Sequence, residues 1–321
     1  MKYAGFWDVV PEICSVLAPM AEITDMVFRR LVAKYGKPDV IYTEFVSADG
    51  LMSQGRDVLL RDLRFHNSEH PIVAQIFGSN PEICARATEY IVTLGFDGVE
   101  INMGCPDKAV MKQGAGAALI DDPSRAIRII QEMKRAAGSI PVSVKTRIGT
   151  RSDVLDEWIL RLIDAQPAAI IVHGRTAKEL SLVPARWERI GYAAKLAEGT
   201  GIRVIGNGDI LSLDEGYRVS RANGARGFMV GRAAIGNPFF FSGRNDVTLA
   251  ERLAVMREHA CLFKELMPWK PFVHVRKHLA KYAAGFKGIK ELRMELTRAN
   301  NPEDVARATE VFLEKQNKNN L

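Results

Sequence analysis

One cysteine in this chain stands where chemistry is done, not where cores are packed. The stretch "GVEINMGCPDKAVMKQGAGAALI", Gly98 to Ile120, opens as a buried strand and breaks at Gly104-Cys105-Pro106. It then passes two lysines before a glycine-alanine run able to start a helix. A thiol with an ordinary pKa of about 8.5 is mostly protonated at neutral pH and can donate a proton. With its pKa lowered by a neighbour it can instead attack as a nucleophile. The residues at this point leave both roles open, since Lys108 is near in sequence but its direction is not fixed.

Two further stretches suit an anion. "VIGNGDI" brings Asn207, Gly208 and Asp209 together, and "FMVGRAAIGNP" brings Gly231 and Arg232. Glycine lets backbone amides approach phosphate oxygens, and the guanidinium of Arg232 adds charge. Leu211 occupies the place of the last glycine in G-x-G-x-x-G, so a mononucleotide is favoured over a dinucleotide on a Rossmann unit. Lys145 and His173 close apolar runs just before these stretches. A cation there can sit beside a flavin ring and stabilise negative charge on its reduced form. Gln75 offers amide donors and acceptors to the edge of a heterocycle.

The elements that must hold these residues are legible as alternation. Eight short apolar runs, 16–20, 40–46, 72–78, 98–103, 141–149, 169–176, 203–209 and 227–234, are separated by helical patterns. "NPEICARATEYIVTLG" and "DPSRAIRIIQEMKRAAG" open on Asn or Asp before Pro and close on Gly, as helix starts and stops do. Eight strand–helix units imply parallel strands and an α/β fold, a (β/α)8 TIM barrel. Nearly every run begins apolar and ends in a reactive residue or glycine. One such residue can merely be leaving the core, but the whole set would meet at the face where barrels build active sites. The barrel is expected over 1–241. After "GNPFFFSGRNDVT" the chain reads as helical, so 242–321 is expected to be a small C-terminal helical domain.

The 321 residues carry a net charge of +6. Between Lys264 and Arg298 nine Lys/Arg stand against three acids, so the basic surplus is concentrated in the C-terminal region. That balance suggests a polyanionic partner. The four cysteines, at 14, 84, 105 and 261, include no C-x-x-C pair. This spacing disfavours zinc ribbons, cysteine-ligated clusters and a disulfide framework. The start does not read as a signal peptide, and no apolar run is long enough to span a membrane. A reduced, cytoplasmic protein is expected.

In order along the chain, "LAPMAEITD", "AQIFG", "INMGCP", "GAALI", "VSVKTRIG", "VHGRT", "IGNGDI" and "VGRAAIGNPFFF" resemble the dihydrouridine synthases. The match covers about 16–241, and the C-terminal region resembles that family's helical RNA-binding domain. The resemblance implies FMN-dependent, NADPH-driven reduction of uridine to 5,6-dihydrouridine in tRNA. It implies that Pro19, Met20, Ala21, Gln75, Lys145, His173, Asn207, Gly208, Asp209, Gly231 and Arg232 hold FMN. It also implies that Cys105 is the proton donor and that Asn102 and Arg175 lie near the uracil. Met111 and Ala115 depart from the common family pattern, in the loop after the cysteine.

Smaller signals lie outside these segments. "WKPFVHVRKHLAKYAAGFKG" interleaves aromatics with basic residues and is expected to face RNA through Arg276, Lys277 and Lys281. His274 and His278, four apart, are expected on that same surface rather than on a metal, because a third ligand is missing. Cys14, Cys84 and Cys261 are expected to be core thiols. No metal and no protein partner are implied, and a monomer is expected. Two rival functions remain at this stage: an FMN enzyme acting on a free pyrimidine, similar to dihydroorotate or dihydropyrimidine dehydrogenases, and a non-catalytic RNA-binding protein.

Overall fold

Eight parallel strands close into a barrel in sequence order, each paired with its neighbours and the last with the first. A computed structural model describes residues 5–284 and 289–319, with side chains described to 316. The strands are β1 Cys14–Leu17, β2 Val40–Ser47, β3 Ile72–Phe77 and β4 Gly98–Met103. They continue as β5 Val142–Arg147, β6 Ala169–His173, β7 Arg203–Asn207 and β8 Gly227–Val230.

Side chains alternate across each strand, and the two faces divide the work. Leu17, Ile41, Ala74, Ile101, Val144, Val172 and Val204 pack outward against the helices. Val16, Val40, Tyr42, Val73, Ile171, Ile205 and Met229 fill the interior. Trp7, in the 3-10 turn Gly5–Asp8, packs into that interior cluster, and the Arg203 guanidinium lies over its ring.

The helices begin where the caps dictate. Asn80 accepts from Ile83 N (3.0 Å) to start Pro81–Thr93, and Asp122 accepts from Arg125 N (3.1 Å) to start Pro123–Ala137. Each cap satisfies an amide that a helix N-terminus leaves without an internal partner, with Pro in the first turn where it costs no hydrogen bond.

All eight expected runs are strands, but most are shorter than expected. β1 stops at Leu17, not at residue 20: Ala18 N still bonds Val230 O (2.8 Å), and Pro19 then has no amide to offer. β7 ends at Asn207 because Gly208 (φ 128°) and Asp209 (φ 56°) turn the chain aside. β8 ends at Val230, just before Gly231. The residues trimmed from the strands are the ones that form the mouth.

After the turn Phe240–Ser242 come helices Leu249–Leu266, Arg276–Tyr282, Ile289–Leu296 and Pro302–Asn319. Their cluster, with Leu253, Met256, Phe263, Leu279, Tyr282 and Leu296, is completed by Val27 and Leu31 from the barrel helix Met26–Tyr35. The helices therefore bury their apolar stripes against the barrel as well as one another. Truncating one such residue, Leu279→Ala, costs about 2–5 kcal/mol. No helix among the described residues is long and apolar enough to cross a membrane.

Candidate active site at the barrel mouth

Toward the C-terminal ends of the strands the inward positions turn polar, and these polar residues form the site. Glu100 and Asn102 on β4, Lys145 and Arg147 on β5, His173 on β6 and Asn207 on β7 continue the faces that are apolar lower in the barrel. A cavity of about 630 Å³ opens there. Ten of the residues singled out from sequence line it: Pro19, Met20, Lys145, His173, Arg175, Asn207, Gly208, Asp209, Gly231 and Arg232.

One end of this cavity is built for negative charge. The amides of Gly208, Arg232 and Ala233 make no hydrogen bond among the described residues, and the Arg232 side chain is 61% exposed. Asp209 lies between two arginines. Its Oδ2 accepts from Arg175 and from Ala185 N (2.8 Å), and its Oδ1 accepts from Arg232 at 2.9 Å. Burial works to raise the Asp209 pKa, but these hydrogen bonds and the two guanidinium charges hold it below its usual value. A Cβ on Gly208 would lie 2.6 Å from that of Ala185, so only glycine fits at this approach.

The other end is cationic and partly buried. Lys145 Nζ donates to Asn207 Oδ1 (3.1 Å), and Asn207 Nδ2 donates to Met229 O (2.8 Å). Burial, then the Arg147 charge, lowers the Lys145 pKa. His173 Nε2 lies 3.2 Å from Arg175 Nη1, which can only donate, so this nitrogen carries no proton and the ring is neutral. Burial, followed by the charges of Arg147, Lys145, Arg175 and Arg232, holds the His173 pKa well below its usual value.

The thiol side is set by a chain of amides. Asn102 Oδ1 accepts from Gly104 N (3.0 Å) and Cys105 N (2.9 Å), while its Nδ2 donates to Gln75 Oε1 (3.0 Å). Arg147 closes the loop from the other side, donating to Gly104 O (2.7 Å) and Thr176 O (3.0 Å). Cys105 is half-buried, and burial pushes its thiol pKa up despite the nearby charges of Arg147 and Lys145. The thiol is therefore held protonated.

Several placements differ from expectation. Ala21 is exposed and does not line the cavity, while Gln75, Asn102 and Cys105 belong to β3, β4 and the following loop, outside the lining set. Arg175 is buried, its guanidinium held by Val183 O, His173 and Asp209. His278 does not face solvent: Gly236 N donates to its Nδ1 (3.2 Å), its Nε2 lies 3.0 Å from Ile23 O, and its ring packs on Phe28. Cys261 is exposed rather than a core thiol, whereas Cys14 and Cys84 are buried. Arg276 donates to Ala299 O (2.7 Å) and Asn300 Oδ1 (2.6 Å), and Lys277 is paired with Glu22. Lys281 is exposed, and Lys287 lies outside the described residues.

The sequence profile of the family "Dihydrouridine synthase (Dus)" matches residues 16–318. The chain belongs to the dihydrouridine synthase family. It is 37% identical over 313 residues to the "Probable tRNA-dihydrouridine synthase 2" of Bacillus subtilis strain 168, covering 94% of each chain. It is 36% identical over 313 residues to the "Probable tRNA-dihydrouridine synthase" of Staphylococcus aureus strain Mu50, covering 95% of this chain and 93% of that one. Among solved structures, the barrel resembles a 2-naphthoyl-CoA reductase complex (TM-score 0.52, 11% identity, 71% of this chain and 49% of that one). It also resembles an old yellow enzyme homologue from Zymomonas mobilis (TM-score 0.51, 12% identity, 74% of this chain and 89% of that one). At these identities the two solved structures establish the shared fold and nothing further.

The parts that act behind the mouth are not legible in the sequence. Arg147 carries no more signal in the sequence than any polar strand end, and its hold on the cysteine loop depends on a bond across to the loop after β4. Glu100 went unnoticed, although an acid two positions before Asn102 must share its inward face. Leu180 and Ser181 line the cavity from a loop and carry no signal in the sequence, and Leu211, which breaks the G-x-G-x-x-G pattern, lines it too.

Proposed function

We propose that this protein is an FMN-dependent, NADPH-driven enzyme that reduces specific uridines in tRNA to 5,6-dihydrouridine. The observation that carries the reading is a half-buried Cys105 thiol just after β4, its loop held by Asn102 and Arg147, beside a cavity lined by Lys145, His173 and Arg232. The names of its relatives, which this chain matches along 94–95% of its length, support tRNA as the substrate.

The cavity fits a flavin mononucleotide. The unpaired amides of Gly208, Arg232 and Ala233, with the Arg232 guanidinium, would take the phosphate, as expected of the loops after the last two barrel strands. Pro19 and Met20 would flank the cofactor, with Lys145, His173 and Asn207 beside its ring, while Gln75, fully buried behind the mouth, would act through Asn102. Held there and reduced, the flavin would supply the hydride that adds to uracil C6.

This chain's own residues do the rest. Cys105 gives its proton to uracil C5, so that hydride and proton together saturate the 5,6 double bond, and the thiolate is then reprotonated from solvent. Lys145 places positive charge where a reduced ring gathers negative charge, inside a buried site that strengthens the interaction. Asn102 holds the cysteine loop, and Arg175 holds Asp209 and the loop at Val183 beside the uracil. Residues 242–321 act as a helical RNA-binding domain, and the protein works as a cytoplasmic monomer.

The test is direct. Purified protein with FMN and NADPH should form dihydrouridine in an unmodified tRNA transcript, read by nucleoside mass spectrometry. A protein that binds no flavin would overturn the reading. Equal reduction of free uridine would favour a small-molecule pyrimidine reductase instead.

A further inference from the structure

The chain of amides that holds the cysteine loop does not end at Gln75. Gln75 Nε2 donates in turn to Glu100 Oε2. Both residues are fully buried, paired across β3 and β4 in register, with Glu100 two positions before Asn102 on the same face. The links share one direction. Each amide gives its N–H toward the barrel interior and turns its oxygen toward the mouth, ending at the amides of Gly104 and Cys105.

An amide side chain can flip, exchanging donor for acceptor at nearly the same shape. A flip of Gln75 or Asn102 would set N–H against N–H and release the cysteine loop. The fixed amides of Gly104 and Cys105 set the direction at the mouth, and a buried group that accepts must hold it at the inner end. Glu100 is that group. On its other side Tyr42 and Ser143 are neighbours of the carboxyl, while Oε1 is buried without a partner among the described residues.

We propose that Glu100 is a positioning residue for the thiol: it fixes the orientation of Gln75 and Asn102, and through them the loop that carries Cys105. The proposal rests on the reading of Cys105 as the proton donor. Burial pushes the Glu100 pKa up, while the hydrogen bond from Gln75 and the Lys145 charge pull it down, and the carboxyl oxygen facing Gln75 accepts. A glutamine in its place keeps a carbonyl oxygen that can accept from Gln75 Nε2.

The experiment compares Glu100→Leu, Glu100→Asp and Glu100→Gln in the FMN-loaded enzyme. It reads kcat and KM on a tRNA transcript and, separately, site-resolved iodoacetamide labelling of Cys105 against the exposed Cys261 as internal reference. Glu100→Leu should lower kcat by about tenfold or more, with KM for tRNA nearly unchanged, because proton transfer depends on where the thiol points. The Cys105-to-Cys261 labelling ratio should change with it. Glu100→Gln should restore both to within about threefold of wild type, since the accepting oxygen is back. Glu100→Asp, which shortens the reach but keeps the carboxyl, should behave like Leu and serves as the test if the Leu variant does not fold. Adding Asn102→Ala to Glu100→Asp should cost no more than Asn102→Ala alone, because both act on one chain of bonds. Wild-type kcat and labelling in Glu100→Asp would overturn the proposal, as would a Gln variant as impaired as the others. If wild type forms no dihydrouridine, the functional reading fails, while the labelling ratio still reports on the strut.

Discussion

His278 and Gly236 join the C-terminal helices to the barrel by one bond, Gly236 N to His278 Nδ1 at 3.2 Å. Because Nδ1 accepts, Nε2 carries the proton and donates it to Ile23 O at 3.0 Å. One buried ring therefore ties helix Arg276–Tyr282 to the loop after β8 and to the loop after β1, two of the loops that line the mouth cavity.

That bond has a consequence for stability. Burial lowers the His278 pKa to about 4, and burial together with the His278 charge lowers that of His259 well below its usual value. Between about pH 6.5 and pH 4 the unfolded chain binds protons that the folded chain refuses, so stability falls as pH drops through that window. A single such histidine costs about 2 kcal/mol by pH 5. The groups around the pair are Tyr282, Lys277, Glu258 and Asp25. The buried Asp25 carboxyl, its pKa raised by burial, works the other way and offsets part of the loss near the acid end. Urea denaturation at pH 7.5 and pH 5 should show the drop, and His278→Gln should flatten it. An unchanged midpoint between the two pH values would contradict the neutral-ring assignment.

Cys105→Ala should keep bound flavin and its reduction by NADPH while losing about 10²–10⁴-fold in uridine reduction, the range of a general acid. Residual activity near wild type would remove Cys105 from the mechanism. Since burial raises the thiol pKa, the protonated form persists above the ordinary thiol range, and kcat should hold into alkaline pH before it falls. Stopped-flow absorbance, following flavin reduction and reoxidation separately, distinguishes the two half-reactions.

Lys145→Met removes the cation from the ring side of the cavity and leaves Asn207 Oδ1 without its donor. Flavin should dissociate more readily, and its reduction by NADPH should slow, by about tenfold for the removal of one charge-assisted hydrogen bond. Dialysis followed by flavin absorbance measures the first effect. Full flavin retention would show that the ring lies elsewhere.

The barrel and its reactive end were legible because a parallel strand writes both of its faces into sequence. Outward Ile101 and Val144 alternate with inward Asn102 and Lys145, and the change from apolar to polar marks where each strand reaches the mouth. Strand ends were less legible: Pro19 at β1 and the left-handed turn at Gly208 and Asp209 set them, yet in sequence these residues look continuous with the strands. Direction across space was not legible at all. His274 and His278 sit one turn apart, yet one is half-buried beside Glu22 and the other is sealed against Phe28. Nothing in the spacing says which face of a helix meets the barrel.

The basic C-terminal region shows the same effect with functional weight. Much of its charge is spent inside the molecule: Lys270 reaches Glu44 (3.6 Å) and Asp62 (3.3 Å), Lys277 pairs with Glu22, and Arg276 holds the backbone after helix Ile289–Leu296. Lys264, Lys281 and Lys290 make no ion pair or side-chain hydrogen bond among the described residues and remain for an external polyanion. Reversing Lys281 and Lys264 to Glu should therefore weaken tRNA binding and flatten its salt dependence, by about 0.9 in slope for each phosphate no longer neutralised, without moving the melting temperature. Arg276→Ala should act differently. It leaves backbone acceptors near a helix end without their cation, so stability should fall by about 1–3 kcal/mol while the salt slope hardly changes. Filter binding across a salt series, with thermal denaturation of the same variants, separates the two classes. If Arg276→Ala lowered the salt slope and the lysine reversals did not, the RNA would lie on the face around Arg276 and Asn300 rather than on that of the free lysines.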